Sequence, residues 1–540
     1  MDVLIIALAT LATVLRILVL IALSIVTGWA LGYLSIKNRN FENIYIPLVN
    51  AFESIPVIGF LPIVLVAFVA GVGGSLGVEL AADFLVFDAV VWNVWIGIYQ
   101  AFKTVPDPLL EVADNYKFGT LRKLKELYIP HSLPRITSNL FSSFADGIFY
   151  ISVSEIFTVG VHTYQTFGIG TLIAVFLQQG NLAGVYYSLA FIAAAVIMVT
   201  LSFSRLSKWA IAKYGLNTDL PIRRYHGTIR KYIYSTWSNM SRENIVSRFA
   251  SRFGHKKRVR YSERESEPNY LKIAAKYFIY LILAIAGISL LFWAYGTATS
   301  VPGSQWSGFF SETPYLLYSM GVDYVRVAVI TLASLLLAIT LGYYLAVHKK
   351  ASTMLTPVIQ TVGAFPAPTY FPLVFIATLP FLVSVLPFAY TEVYIFILGF
   401  LSCFYYVFFD FWIGVQAIPS EFWEVMRNHE LGFFNRMRYV ILPAAFPYLI
   451  TGLSSTINSA WAGIAIGEYW PNIYGSQSLI ANVGMMKFIS VNIANGNIAA
   501  AAYVSLLFAI VVIIYGLLFT RNLMDLARKK YVVEEGVYAG

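Results

Sequence analysis

Charge is scarce in this 540-residue chain: Asp, Glu, Lys and Arg make up 12% of it, against 58% for the hydrophobic residues, and mean hydropathy is +0.70. A soluble domain carries about 25% charged residues. A water-facing surface of this length is therefore excluded, a soluble enzyme with it, and most of the surface faces lipid. Cysteine is scarcer still. The single Cys403 lies in an apolar run, which excludes a disulfide framework and any multi-cysteine zinc site. The sequence has no GxxxxGK[ST] phosphate loop, so it supplies no ATP site of that type. No nucleophile or metal-ligand cluster is evident either, and neither catalytic residues nor metal ligands are expected.

What is abundant is apolar length. A spanning helix needs roughly 20 apolar residues, and about eleven stretches qualify, near 11–35, 47–70, 84–104, 137–160, 185–207, 273–296, 323–347, 355–378, 389–413, 445–467 and 497–520. They lack the alternating polarity of membrane strands, so an all-α membrane protein is expected. Basic residues set the orientation, because short cytoplasmic loops collect Lys and Arg. Lys37, Arg39, Lys117 to Lys125, Lys349, Lys350, Arg427 to Arg438 and Arg528 to Lys530 all fall on one side. Segments 71–83, 161–184 and 297–322 contain no Lys or Arg, and 468–496 contains only Lys487. The N-terminus is expected outside and the C-terminus in the cytoplasm. Between Arg205 and Lys276 stand 17 of the 37 basic residues. That density reads as a cytoplasmic linker lying against anionic lipid rather than as a nucleic-acid site, and no nucleic-acid partner is expected.

The chain is also a duplication. At a shift of 310, Arg16 meets Arg326, Gly32 meets Gly342, and Pro47, Pro56 and Pro62 meet Pro357, Pro366 and Pro372. At a shift of 313, Pro106, Glu111, Val112, Gly119, Pro130, Pro134 and Glu155 meet Pro419, Glu424, Val425, Gly432, Pro443, Pro447 and Glu468. A ladder of prolines in register fixes backbone geometry twice over. Each unit holds five spans, an odd number, so an extra helix at 273–296 is needed to make the copies point the same way. The organisation read from this is a first repeat (1–208), a basic linker (209–272), the extra helix (273–296), an external loop (297–322), a second repeat (323–525) and a tail (526–540).

Two polar inserts, 105–136 and 414–448, occupy equivalent places. Each opens with a proline, Pro106 or Pro419, followed by acidic residues that suit a helix start. Each then reaches Gly119 or Gly432, expected to take positive φ and turn the chain before a basic amphipathic stretch. A short rigid helix of this kind fits a groove on a soluble partner. The anchors expected are Leu110, Val112 and Tyr116 in one copy and Trp423, Val425 and Met426 in the other.

These inserts resemble the EAA loops of ATP-binding-cassette (ABC) importer permeases, in which a Glu stands nineteen residues before the Pro of an Ile/Leu-Pro pair, as Glu111 does before Pro130 and Glu424 before Pro443. The stretch LPAAFPYLITGLSSTINSAWAGIAIGEYW, with Trp461 and Glu468, is similar to nitrate/sulfonate/taurine-type permeases, and the fused arrangement resembles a duplicated permease of that kind. Two departures stand out. The loop Gly falls eight residues after the Glu instead of six, and the family's paired alanines are reduced to Ala113 alone. The resemblance implies a type I importer-like fold in the plasma membrane, moving a small solute, an anion by family. It also implies an external solute-binding protein and two ATPase subunits that hold the ATP and magnesium, with no cofactor in this chain. The coupling contacts would be Leu110, Glu111, Val112, Ala113, Tyr116 and Gly119, with Trp423, Glu424, Val425, Met426 and Gly432. An ion-gradient carrier is the competing class. Such a carrier concentrates its signatures at mid-membrane broken helices, and here the clearest motif pair lies in the inserts.

Ionisable groups inside a bilayer default to function. Glu155 and Glu468 repeat near the outer ends of equivalent spans, where they either line the vestibule or pair with Arg16 and Arg326. Asp146 and Asn458 sit at neighbouring positions of corresponding helices. With Ser142, Ser143, Ser454, Ser455 and Ser459 they form the most polar internal faces, which read as pore lining or as small-residue helix packing. The pore and gate candidates are thus Ser142, Asp146, Glu155, Ser455, Asn458, Trp461 and Glu468.

Overall fold

The computed structural model describes residues 3–214 and 301–516, save Ser54 and Pro56, together with Leu518, Asn522 and Leu523. The basic linker beyond residue 214, the expected extra helix at 273–296 and the 526–540 tail lie outside the described residues. The first half runs α1 (Val3–Lys37), α2 (Arg39–Glu53), α3 (Val57–Val64), a π-helical turn (Leu65–Ala70), α4 (Gly74–Lys103), α5 (Asp107–Asn115), α6 (Thr120–Lys123), a second π-helical turn (Leu124–Tyr128), α7 (Ile129–Phe149) and α8 (Ile151–Ser154). A hairpin of β1 (Ile156–Val159) and β2 (His162–Gln165) follows, then α9 (Ile169–Gln178) and α10 (Leu182–Tyr214). The second half repeats the plan with α11 (Gly303–Leu337), a π-helical turn (Ala338–Gly342), α12 (Tyr343–Val347), α13 (Lys349–Ala364), α14 (Ala367–Val385), α15 (Tyr390–Gln416), α16 (Ser420–Asn428) and α17 (Phe433–Arg436). It continues with a π-helical turn (Met437–Ile441), α18 (Leu442–Glu468), β3 (Tyr469–Tyr474), β4 (Gln477–Ile480), α19 (Met485–Ala494) and α20 (Ile498–Tyr515).

Among the described residues eight helical segments are long and apolar enough to cross a membrane. Two expected spans are broken. The 355–378 stretch divides where α13 ends at Ala364, because Phe365 precedes Pro366 and takes an extended backbone (ψ 123°); the Pro ring clashes with a helical residue before it. The 47–70 stretch is divided too, α2 ending at Glu53 and α3 beginning at Val57. The expected 137–160 span ends early, because α8 stops at Ser154 and the chain turns into β1. Both hairpins are additions to an otherwise helical fold. They turn at Gly160 (φ 58°) and Gly475 (φ 55°), where a side chain would be strained.

Within the first half α4 packs against both α1 and α7, and in the second half α15 packs along α18. The α15–α18 crossing is close at one glycine pair: a Cβ on Gly463 would lie 2.6 Å from the Cα of Gly399. This is the small-residue contact that lets membrane helices approach without a hydrophobic driving force.

Candidate functional site

The two inserts fold as equivalent short helices, α5 and α16, each begun by its proline at the N-cap. Their C-termini close in the same way. Lys117 Nα donates to Asp114 O (2.8 Å) and Phe118 Nα to Ala113 O (2.9 Å); Glu430 donates to Arg427 O (3.0 Å) and Leu431 to Met426 O (3.1 Å). This double bond pattern places the left-handed residue at Lys117 (φ 50°) and Glu430 (φ 48°). The turn expected at Gly119 and Gly432 therefore falls two residues earlier. Both glycines are extended (φ −66°, ψ 164°), a conformation open to any residue.

Exposure divides the expected anchors. Val112 (50%), Tyr116 (65%) and Val425 (49%) are exposed, as are Glu111 and Glu424. Ala113 and Met426, which correspond at the 313 shift, are both buried, Met426 in the core around Phe408 and Ile441. Leu110 and Trp423 are partly buried, and the Trp423 indole donates to Ile418 O (3.3 Å). The exposed apolar face instead adds Leu109 and Phe422, again equivalent at 313. Their i, i+3 spacing to Val112 and Val425 was present in the sequence, and each outward pair lies on one helix face. Beside α5, Lys103 approaches Glu42 (2.7 Å) and the Tyr99 hydroxyl donates to it (2.5 Å). Burial pushes the Glu42 carboxyl up, but the hydrogen bonds from Lys103 and Tyr99 outweigh it and hold it below the usual carboxylate range.

At the opposite end Glu155 and Glu468 form ion pairs, not a vestibule lining. Arg16 reaches Glu155 (2.8 Å), Glu79 (2.7 Å) and Asp83 (3.1 Å); Arg326 reaches Glu468 (2.7 Å), Glu392 (2.5 Å) and Asp323 (2.8 Å). The arrangement is duplicated. Glu79 corresponds to Glu392 at the 313 shift and Thr13 to Asp323 at 310, and both pairs were legible in the sequence but not singled out. Thr13 accepts from Ile169 N (3.0 Å) as Asp323 accepts from Met485 N (2.8 Å), so each cluster ties α1 or α11 to the start of α9 or α19. Glu155 and Glu468 add bonds from Gly170 N (2.7 Å) and Lys487 N (2.8 Å). Gly168 and Gly484 leave the space: a Cβ on either would collide with the carboxylate. Trp461 is buried at 1% exposure between Tyr324 and Phe508, a packing position.

Between these ends lies a cavity with about 650 Å³ of empty space, its mouth included. Its walls come from equivalent positions of the two halves: Ala89 and Ser402, Trp92 and Tyr405, Asn93 and Tyr406, Asp146 and Ser459, Phe149 and Ala462 all stand 313 apart and all line it. The cavity therefore sits on the pseudo-twofold axis. Of the pore and gate candidates, Asp146, Ser455 and Asn458 line it; Ser142 does not, nor does the neighbouring Ser143, which is buried. Asp146 bridges the halves, accepting from Asn93 Nδ2 (2.9 Å) and from the Tyr406 hydroxyl. Asp88 and Glu53 also line the wall.

Two helical halves enclosing a polar cavity on their common axis define a duplicated membrane transport protein. The chain belongs to the family of binding-protein-dependent transport system inner membrane components, which matches it twice, over residues 21–213 and 334–524, together more than two thirds of its length. Over 202 residues it is 23% identical to the bicarbonate transport system permease protein CmpB of Synechococcus elongatus, covering 37% of this chain and 68% of that protein. It is 26% identical over 174 residues to the nitrate import permease protein NrtB of Leptolyngbya laminosa (32% of this chain, 56% of that protein). It is also 26% identical over 132 residues to the putative aliphatic sulfonates transport permease protein SsuC of Bacillus subtilis (24% and 44%).

Proposed function

We propose that this chain is the membrane-spanning subunit of an ABC importer, both halves of the pore in one polypeptide. Solute would arrive from an external binding protein, and ATP hydrolysis would belong to two separate ATPase subunits gripping α5 and α16 from the cytoplasm. The observation that carries the reading is the pair of equivalent, capped helices at one end of the molecule. Each exposes an apolar pair, Leu109 with Val112 and Phe422 with Val425, beside an exposed Glu, while Ala113 or Met426 anchors the helix to its own half. A helix presented in this way fits a groove, and rigid anchoring lets closure of the ATPase pair rock the halves about the central cavity. The relatives' names bring an anion to this chain as cargo, a reading that rests on likeness rather than on the cavity's residues.

The test is co-purification of the full chain with its ATP-binding subunits, followed by ATP hydrolysis. The chain alone is expected to hydrolyse none, and Val112→Asp with Val425→Asp to lose the subunits while eluting as a folded protein. Undiminished assembly in that double variant, or uptake driven by an ion gradient without ATP, would end the importer reading.

A further inference from the structure

We propose that the cavity between the halves is a binding site for a small organic cation, with Asp88 as its counter-charge and Trp92, Tyr405 and Tyr406 as its aromatic wall. The inference departs from the anion that the relatives' names suggest and rests on the importer reading only for calling the ligand cargo; the site stands on its own chemistry. Asp88 lies midway along α4, is 5% exposed and lines the cavity, and its Oδ2 has no hydrogen-bond partner among the described residues. An unpaired buried carboxyl is costly unless something else satisfies it. Asp146 is different, since Asn93 and Tyr406 already satisfy it. Glu53 adds a second carboxyl to the wall, and among the described residues no Lys, Arg or His lines it. A resident anion would thus meet carboxyls and no base.

The aromatic rings decide the kind of cation. Tyr405 and Tyr406 pack with centroids 4.4 Å apart, and Trp92 occupies the position equivalent to Tyr405 on the facing half. Ring faces within about 6 Å of a cation attract it, most strongly where water is excluded. A metal ion would need converging oxygen, nitrogen or sulfur ligands, and no group of three or more His, Cys, Asp or Glu that could hold one occurs among the described residues. Comparison of the halves points the same way. The ion-pair clusters keep the Arg and two Glu in both copies, but at the positions equivalent to Asp88 and Asn93 the second half carries Leu401 and Tyr406. The wall's carboxyls come from the first half and the packed Tyr405 and Tyr406 from the second, with Trp92 adding a ring from the first.

The test uses the full chain in lipid nanodiscs and equilibrium dialysis with tetramethylammonium and N-methylpyridinium, against nitrate, bicarbonate and methanesulfonate as sodium salts. Saturable binding of a cation is expected, weakened at least tenfold by Asp88→Asn and several-fold by Trp92→Leu, with no competition from the anions. Should Asp88→Asn not elute as a folded protein, Trp92→Leu and the anion competition decide. Saturable binding of an anion in this cavity, no cation binding by the folded chain, or cation binding indifferent to the variants would overturn the proposal. Assembly with ATP-binding subunits is measured on the same preparation. Retained assembly without cation binding would sink the ligand class and leave the importer standing; cation binding without assembly would do the reverse.

Discussion

At the scale of single residues, the arginines of the two ion-pair clusters carry the largest consequence. Arg326 is 9% exposed and faces Asp323 and Glu468, whose side chains are both fully buried, besides the half-exposed Glu392. Removing one partner of a buried pair costs about 3–5 kcal/mol because the remaining charge is left uncompensated. Arg326→Met is therefore expected to lower the thermal unfolding midpoint severely. Glu79→Gln, at a side chain 43% exposed, should cost roughly 1 kcal/mol or less. Equal effects of the two would remove the structural reading of the cluster. Glu42 sets a second residue-scale expectation. Its carboxyl is held below its unfolded value, so the stability it contributes is fully present above the unfolded pKa and lost as pH falls through the folded one. The difference in unfolding midpoint between the native chain and Glu42→Gln should accordingly be constant above about pH 5 and shrink below about pH 4.3, the usual Glu value. A difference that grows on acidification would show that the bonds from Lys103 and Tyr99 do not hold.

At the scale of elements, the inserts show where sequence reasoning stops. Prolines at 106, 130, 419 and 443 marked both ends of the helix–turn–helix, because a proline's missing N–H and fixed φ have few tolerable places. Each Ile/Leu-Pro pair is preceded by a π-helical turn, Leu124–Tyr128 or Met437–Ile441, that widens the helix where Pro130 and Pro443 cannot donate. The turn itself was misplaced. Glycine is the usual left-handed residue, yet here the bond register of α5 and α16 puts Lys117 and Glu430 there, and the nearby glycines are extended. A non-glycine residue in that conformation costs roughly 1–2 kcal/mol. Lys117→Gly and Glu430→Gly should each raise the unfolding midpoint by an amount worth about 1 kcal/mol, and Lys117→Val should lower it; no change in all three would mean that the helix ends are frayed in solution. The hairpins β1–β2 and β3–β4 escaped notice for another reason. Each strand is four to six residues long, too short for alternation to show inside a run of aromatics.

At the scale of the whole molecule, the relation between the halves shows in two hydrogen bonds. Gly160 N in the first hairpin donates to Ile493 O at the end of α19 (3.2 Å), and Gly475 N in the second hairpin donates to Leu177 O at the end of α9 (3.1 Å). Gly160 and Gly475 are the two turn glycines, and Leu177 and Ile493 occupy equivalent places in α9 and α19. Each half thus gives the other the contact it receives, the signature of a twofold interface, and both hairpins lie at one end. Like orientation was legible in the proline ladder and in an odd span count whose parity the extra helix at 273–296, outside the described residues, would reset; the reciprocal contact was not, because it depends on backbone groups that carry no sequence signature. The same symmetry puts α5 and α16 together at the other end, and the excess of Lys and Arg in the loops there predicts that this end faces the cytoplasm. Asn115 and Asn428, equivalent and exposed at the ends of α5 and α16, report on this directly. The native Cys403 is fully buried and leaves the background clear. In right-side-out vesicles, Asn115→Cys and Asn428→Cys are each expected to resist a membrane-impermeant maleimide until the membrane is permeabilised, and then to label alike. Labelling of one but not the other in intact vesicles would contradict the twofold relation itself; labelling of both would invert the molecule and move any ATP-driven partner to the wrong side.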